Sequence, residues 1–235
     1  MTARTPEIFG SSIVVIGAFN PMIFTPDWLE RNELIGQDDA NAARQQAGFV
    51  VSHDVCQLET DWFALQVIQD RFSLTSKGAL NPALKDLAVG IFTLLAHTPV
   101  TAAGFNFFGH YKIAGETAYH KIGDTLAPKT IWGTLYPNED YSFGLAELTV
   151  LIQPHLRGEI PTNGDTKRIT VQPSGRVKGY GVCLSLNDHH VINVNETDAL
   201  TAAEQVAELI DLNWQDEWKE SLRIFDDVIT KALGI

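Results

Sequence analysis

Between Trp62 and Val67 the chain alternates strictly, with Phe63, Leu65 and Val67 on one side and Trp62, Ala64 and Gln66 on the other. Successive side chains of a strand point to opposite sides of a sheet, so this period of two specifies a sheet with two unlike faces. Such a sheet must hide one face. The chain supplies a cover soon afterwards. Pro82 opens a segment whose apolar residues Leu84, Leu87, Ala88, Ile91, Phe92, Leu94 and Leu95 recur at helical spacing, and it stops before Pro99. Strands followed by a packing helix is the pattern that organises the rest of the reading.

Ser12–Ala18 is a β-branched run and reads as a buried strand broken by Asn20-Pro21. Thr25 and Pro26 then suit the cap and first position of a helix that Gly36 ends. Residues 37–48 read as a loop or short exposed helix. Phe49–Leu58 and Trp62–Thr75 read as strands joined by a turn at Glu59-Thr60-Asp61, Val100–Ile113 as an aromatic-rich strand and Glu116–Leu126 as a short helix. Phe143–Gln153, Lys167–Gln172, and Tyr180–Leu186 with Val191–Val194 read as a meander, with a loop over 154–166. Two helices, Asp198–Leu212 and Asn213–Leu233, close the chain. The class expected is α+β, an antiparallel sheet packed against helices on one side, in a single domain over 1–235. The order also admits two related strand–strand–helix halves, 1–115 and 116–235.

Charge narrows the partners. With 17 Lys+Arg against 29 Asp+Glu, the net charge of −12 argues against a generic nucleic-acid binder, which needs a cationic surplus to neutralise phosphates. Ten acidic and two basic residues fall between Glu196 and Asp227, so the acidity concentrates on the closing helices. Glu208, Asp211, Asp216, Glu217 and Glu220 form either a solvated face or a docking surface for a basic partner. Trp214 and Trp218, one turn apart, form an apolar stripe within that acidic stretch. The two cysteines, Cys56 and Cys183, exclude a disulfide scaffold and read as buried free thiols. No leader-like apolar run follows the N-terminus, and no run approaches the roughly 20 apolar residues of a membrane helix, so a cytoplasmic protein is expected.

Recognised chemistry is sparse. The sequence contains no P-loop, no dinucleotide fingerprint, no H-E-x-x-H, no paired C-x-x-C and no G-x-S-x-G. Asn187-Asp188-His189-His190 is the one polar cluster able to bind or catalyse. Between two strands it reads either as a hairpin turn or as a functional tip presenting Asp188, His189 and His190. Asn20, Pro21 and Trp28 are further candidate binding residues. Lys167-Arg168 and Arg176-x-Lys178 flank a Pro173-Ser174-Gly175 turn and read as charged edge strands, or as a local anion contact. No catalytic residue, metal or cofactor is assigned. The expected function is non-enzymatic, through protein–protein contacts in an assembly or homodimer. The alternative is a small-molecule-binding protein or hydrolase with its site near Asn187–His190.

Two resemblances accompany these readings. Val14-Val15-Ile16-Gly17-Ala18-Phe19-Asn20-Pro21 resembles the strand and G-x-F-x-P loop that opens a nucleotidylyltransferase. That family's two phosphate-contacting histidines are replaced here by Ile23 and Pro26, so the catalytic part of the likeness is missing. Across nearly the whole chain, the sequence is similar to an uncharacterised, sporadically distributed family of bacterial proteins. The shared residues include Phe19-Asn20-Pro21-x-Ile23-Phe24-x-Pro26-x-Trp28-Leu29, Leu65-Gln66-Val67 with Arg71-Phe72, His97-Thr98-Pro99-Val100, Leu126-Ala127-Pro128-Lys129 with Trp132, and Gln172-Pro173-Ser174 with Asn187-Asp188-His189. This resemblance implies a small bacterial cytoplasmic protein and brings no catalytic residues with it.

Overall fold

The computed structural model describes residues 4–78, 81–133, 135, 142–153, 164–193 and 200–235. Its elements, in chain order, begin with strand β1 (Ile8–Gly17), a 3-10 turn (Pro21–Ile23), and helices α1 (Pro26–Arg31) and α2 (Gln37–Gln45). Strands β2 (Val50–Val51), β3 (Val55–Glu59), β4 (Phe63–Ile68) and β5 (Arg71–Ser76) follow, then helix α3 (Ala83–Leu94). The chain continues through β6 (Val100–Lys112), α4 (Glu116–Leu126), α5 (Lys129–Trp132), β7 (Leu148–Ile152), β8 (Thr166–Pro173), β9 (Gly181–Val191) and α6 (Ala202–Leu233). All the strands join one nine-stranded antiparallel sheet in the order β2-β3-β4-β5-β1-β6-β9-β8-β7. The fold is α+β.

That strand order is palindromic in form. A long strand, two short helices, a meander and a packing helix occur first as β1, α1–α2, β2–β5 and α3, then again as β6, α4–α5, β7–β9 and α6. The two long strands pair with each other at the centre of the sheet. The repeated order restarts at Val100, ahead of the 115/116 boundary suggested by the sequence.

One face of the sheet carries the core. Ile13, Val15, Leu65, Val67, Phe72 and Leu74 are buried there, and α3 lies against β5 with its own Leu84, Leu87, Ala88, Ile91 and Phe92 buried in the same core, while Leu94 faces out. Phe72 meets Phe92 edge-on at 5.1 Å between ring centres, and Phe19 and Phe24 complete the aromatic cluster. In the second half, Trp214 of α6 sits on Phe105 (5.6 Å) and Phe107 (5.0 Å) of β6. Thr125 of α4 ties to the Ala232 carbonyl of α6 at 2.9 Å, and Lys85 of α3 pairs with Asp211 of α6.

Several readings change. The 62–75 segment is a hairpin, β4 and β5, turning at Gln69-Asp70, and 49–58 divides into β2 and β3 around Ser52–Asp54. Only 148–152 of the expected 143–153 strand is regular. The closing helices are one 32-residue helix. No Pro or Gly interrupts 202–233, and Asn213, placed at the supposed junction, donates its side-chain amide to the Leu209 carbonyl as a helix interior permits. A capping box between Thr201 and Glu204 starts this helix and Gly234 in the left-handed region (φ 69°) stops it. The expected start at Asp198, and residues 154–163 of the expected loop, lie outside the described residues.

The Gly17–Pro26 segment is explained by packing. A Cβ on Gly17 would overlap the Pro99 carbonyl oxygen, which is already held by the Ala18 N–H at 2.8 Å, and the β1–β6 register shifts at this point. Phe19 is buried, the Asn20 side chain accepts from the Met22 N–H (3.1 Å), and Pro21 starts the 3-10 turn. Thr25 caps α1 through the Trp28 N–H at 3.1 Å, and the Trp28 ring lies edge-on to Phe24. Gly17→Ala is expected to lower stability by about 2 kcal/mol, the cost of forcing a methyl against immobile backbone. Urea unfolding checks this, and a loss within error of zero would show that the strand exit yields.

Candidate functional site

β9 carries the polar cluster singled out in the sequence, and it is neither turn nor tip. Asn187–His190 lie inside a continuous strand paired with β6 on one side and β8 on the other. The turn reading fails because the local hydrogen bonds that Asn and Asp use in turns are replaced by partners across the sheet. Alternation then divides the cluster. Asn187 and His189 face the side away from the helices, where Asn187 donates to the Asn106 side chain at 2.6 Å. Asp188 and His190 face the helix side.

Around Asp188 the structure gathers residues from three elements. The carboxylate is 1% exposed. His190 Nε2 lies 3.0 Å from Asp188 Oδ2, and Lys167 Nζ of β8 lies 3.4 Å from the same oxygen. Lys167 also pairs with Glu217 of α6, and His190 Nδ1 lies 3.3 Å from Asp165. The His190 ring packs 5.5 Å from Phe105. Burial alone would raise the Asp188 pKa, but the hydrogen bond and charge of His190, and then Lys167, outweigh it and hold the carboxyl below its ordinary 3.8. Burial alone would lower His190. The hydrogen bonds and charges of Asp188 and Asp165 prevail and raise it above 6.5. Each ring nitrogen faces a carboxylate, so the protonated ring donates to both Asp188 and Asp165. The cluster clamps β8, β9 and α6 together.

A second set of groups, invisible to local pattern reading, sits on the opposite face. Cys183 Sγ lies 3.7 Å from His110 Nε2, and His110 Nδ1 lies 2.8 Å from Ser174 Oγ. The Ser174 oxygen already accepts from the Arg176 and Val177 N–H groups at 3.3 and 3.2 Å, so its hydroxyl proton goes to Nδ1. The imidazole proton is thereby assigned to Nε2, facing the sulfur. Burial raises the Cys183 thiol and lowers His110, with Arg176 reinforcing the latter. Both groups are thus held neutral, unlike the thiolate–imidazolium pair of a cysteine nucleophile. Residues 73 apart in sequence gave no signal of this contact. Cys56 is separate and buried, donates to the Phe24 carbonyl (3.0 Å), and is pushed up to about 12 by burial.

Other sequence-selected residues are placed as follows. Asp211, Asp216, Glu217 and Glu220 pair with Lys85, Lys219, Lys167 and Arg223, while Glu208 is exposed on α6. Four of these five carboxylates are paired, two with Lys219 and Arg223 of α6 itself and two with Lys85 of α3 and Lys167 of β8. Trp214 is buried and Trp218 half-buried, so the stripe is core. β8, which carries Lys167 and Arg168, lies between β7 and β9 and is not an edge, and Arg176 sits 5.9 Å over the Phe108 ring. Among the described residues no three His, Cys, Asp or Glu side chains are placed to hold a metal ion, and no helix is long and apolar enough to cross a membrane.

The true sheet edges were not legible as sites. β2 ends one side with two residues. β7 ends the other with Leu148-Thr149-Val150-Leu151-Ile152, five residues without a charge, and has no strand on its outer side among the described residues. Val150, Leu151 and Ile152 are 47%, 49% and 46% exposed. Comparison with known proteins adds nothing to this geometry: no family model and no curated protein matches the chain.

Proposed function

We propose that the chain is a non-enzymatic cytoplasmic protein that works through protein–protein contacts, and that the contact is made by the β7 edge between two copies. The observation that carries this is the state of that edge. Open edges present rows of unpaired N–H and C=O groups, and monomeric proteins blunt them with lysines, prolines, bulges or short strands. β2 is short, whereas β7 is five residues long, contains no lysine or proline, has no strand on its outer side among the described residues and exposes three large apolar side chains. An antiparallel pairing of β7 with its own copy is two-fold symmetric, so one surface serves both partners. With a net charge of −12, two copies repel across most of their surfaces, and an uncharged strand avoids that cost.

Size-exclusion chromatography with light scattering tests the proposal. The wild-type chain is expected at twice its 25.9 kDa mass. Val150→Lys and Leu151→Lys each place a charge at the edge and are expected to elute as single chains with unchanged circular dichroism. A wild type that stays monomeric up to about millimolar concentration, where even weak pairing would register, overturns the reading. So does a dimer indifferent to both substitutions.

A further inference from the structure

A cavity of about 290 Å³ opens between α4, the 142–145 segment that leads toward β7, and the ends of β8 and β9. Its walls are mostly apolar, formed by Tyr119, Ile122, Leu145, Pro173 and Val182, with Ser142 and Gln172 adding uncharged polar groups. The charges at its rim answer one another. Lys129 pairs with Asp124 at 3.0 Å, and His120 lies 3.6 Å from Glu116. Lys129 and Asp124 compensate each other, so neither offers a free counter-charge to a charged guest. An uncharged one would find mostly apolar walls.

Gly123, in the cavity wall, supplies an independent observation. It lies inside α4, where glycine is the poorest residue short of proline because it loses the most backbone freedom on folding. Nothing in the backbone demands it. Its φ is not left-handed, and a Cβ placed there would meet only Leu145, at 3.6 Å from Cβ and 4.0 Å from N, which is ordinary contact distance. Compare Gly17, where a Cβ would overlap fixed backbone. At Gly123 the absence of a side chain preserves space rather than relieving a clash.

From the cavity and this glycine together, we infer that the pocket between α4 and residues 142–145 is a binding site for a small, uncharged, largely apolar molecule, with Gly123 keeping it open. A volume of 290 Å³ takes about ten water-sized heavy atoms, the size of one bicyclic aromatic. The lining stops at Leu145, three residues short of β7, and does not include Val150 or Leu151, so the edge substitutions that test the dimer leave the pocket intact and the two proposals are tested separately.

Indole is a suitable probe, followed by two-dimensional amide NMR on the full chain. Saturable shifts are expected at Gly123, Leu145 and Val182. Gly123→Leu fills the space with an isobutyl group and is expected to weaken indole binding at least about tenfold, the usual penalty for a few misplaced methylenes in an apolar pocket. Leu145→Trp fills it from the opposite wall and should do the same, which keeps the test decisive if one variant folds poorly. Gly123→Ala should raise Tm by about 2–4 °C, because alanine restores helix propensity without a clash. Three results overturn the inference: no saturable response in the wild type, unchanged affinity in both filled variants, or a Gly123→Ala protein less stable than the wild type.

Discussion

Asp188→Ala is expected to destabilise the protein by about 3 kcal/mol near pH 6, the low end of what breaking a buried ion pair costs, because Lys167 and His190 keep partial access to water. The substitution leaves Lys167 and His190 facing a buried position without its negative charge. Lys167 retains Glu217 and His190 retains Asp165, which also limits the loss. Asp188→Asn should cost less, since an amide oxygen still accepts one of the two hydrogen bonds.

The pH dependence gives the same network a second signature. His190 has a folded pKa raised above 6.5, so its contribution is complete below 6.5 and is lost as pH rises through the folded value. Asp188 has a folded pKa depressed below 3.8, so its contribution is present above 3.8 and is lost as pH falls through the folded value. The pair is worth most between those two ordinary values. Wild-type stability should therefore fall on going from about pH 6 to about pH 8, and the Asp188→Ala protein should show a smaller fall because the proton on His190 has lost its main stabiliser. Urea titrations at the two pH values measure both effects. A loss below about 1 kcal/mol in Asp188→Ala would place the pair among surface bridges of little consequence.

Trp214→Ala should cost about 3–5 kcal/mol, as expected for deleting a large side chain from a core that cannot collapse to fill the space. Trp214 is the piece of α6 that contacts both Phe105 and Phe107, so the cavity would open between the helix and the central strand. Trp214→Phe discriminates between volume and polarity. The indole N–H is buried without a hydrogen-bond partner among the described residues, and removing an unsatisfied donor offsets part of the lost volume. Phenylalanine should accordingly lose well under half of what alanine loses, as read from guanidinium unfolding midpoints at a common slope. Equal losses for the two variants would overturn the expectation that the ring volume kept by phenylalanine fills the site.

Local periodicity made much of this architecture readable. The α3 and α4 spans follow from apolar spacing and from their flanking Pro and Gly residues, and the unlike faces of β4 follow from strict alternation. Those signals are carried within a few residues. The misreadings arose where local chemistry pointed one way and distant partners another. Asn187-Asp188 is turn-like in isolation, but Asn106 and Lys167, from other strands, satisfy it in an extended conformation. Asp188 and His190 stand together in the sequence, whereas Lys167 and Glu217 were marked there for other roles and Asp165 for none, because pairing register determines which charges meet. The division of α6 at Asn213 followed a polar residue that a helix readily accommodates through its own backbone carbonyls.

The palindromic sheet has unequal ends, and that inequality limits growth. A sheet with two open edges would propagate, each copy offering a fresh template to the next, as fibres do. Here β2 is too short to template a neighbour, while β7 is long enough to template one. If copies pair through β7 as proposed, that pairing uses the one long open edge among the described residues of each copy and leaves the two-residue β2 at either end, so the association would stop at two.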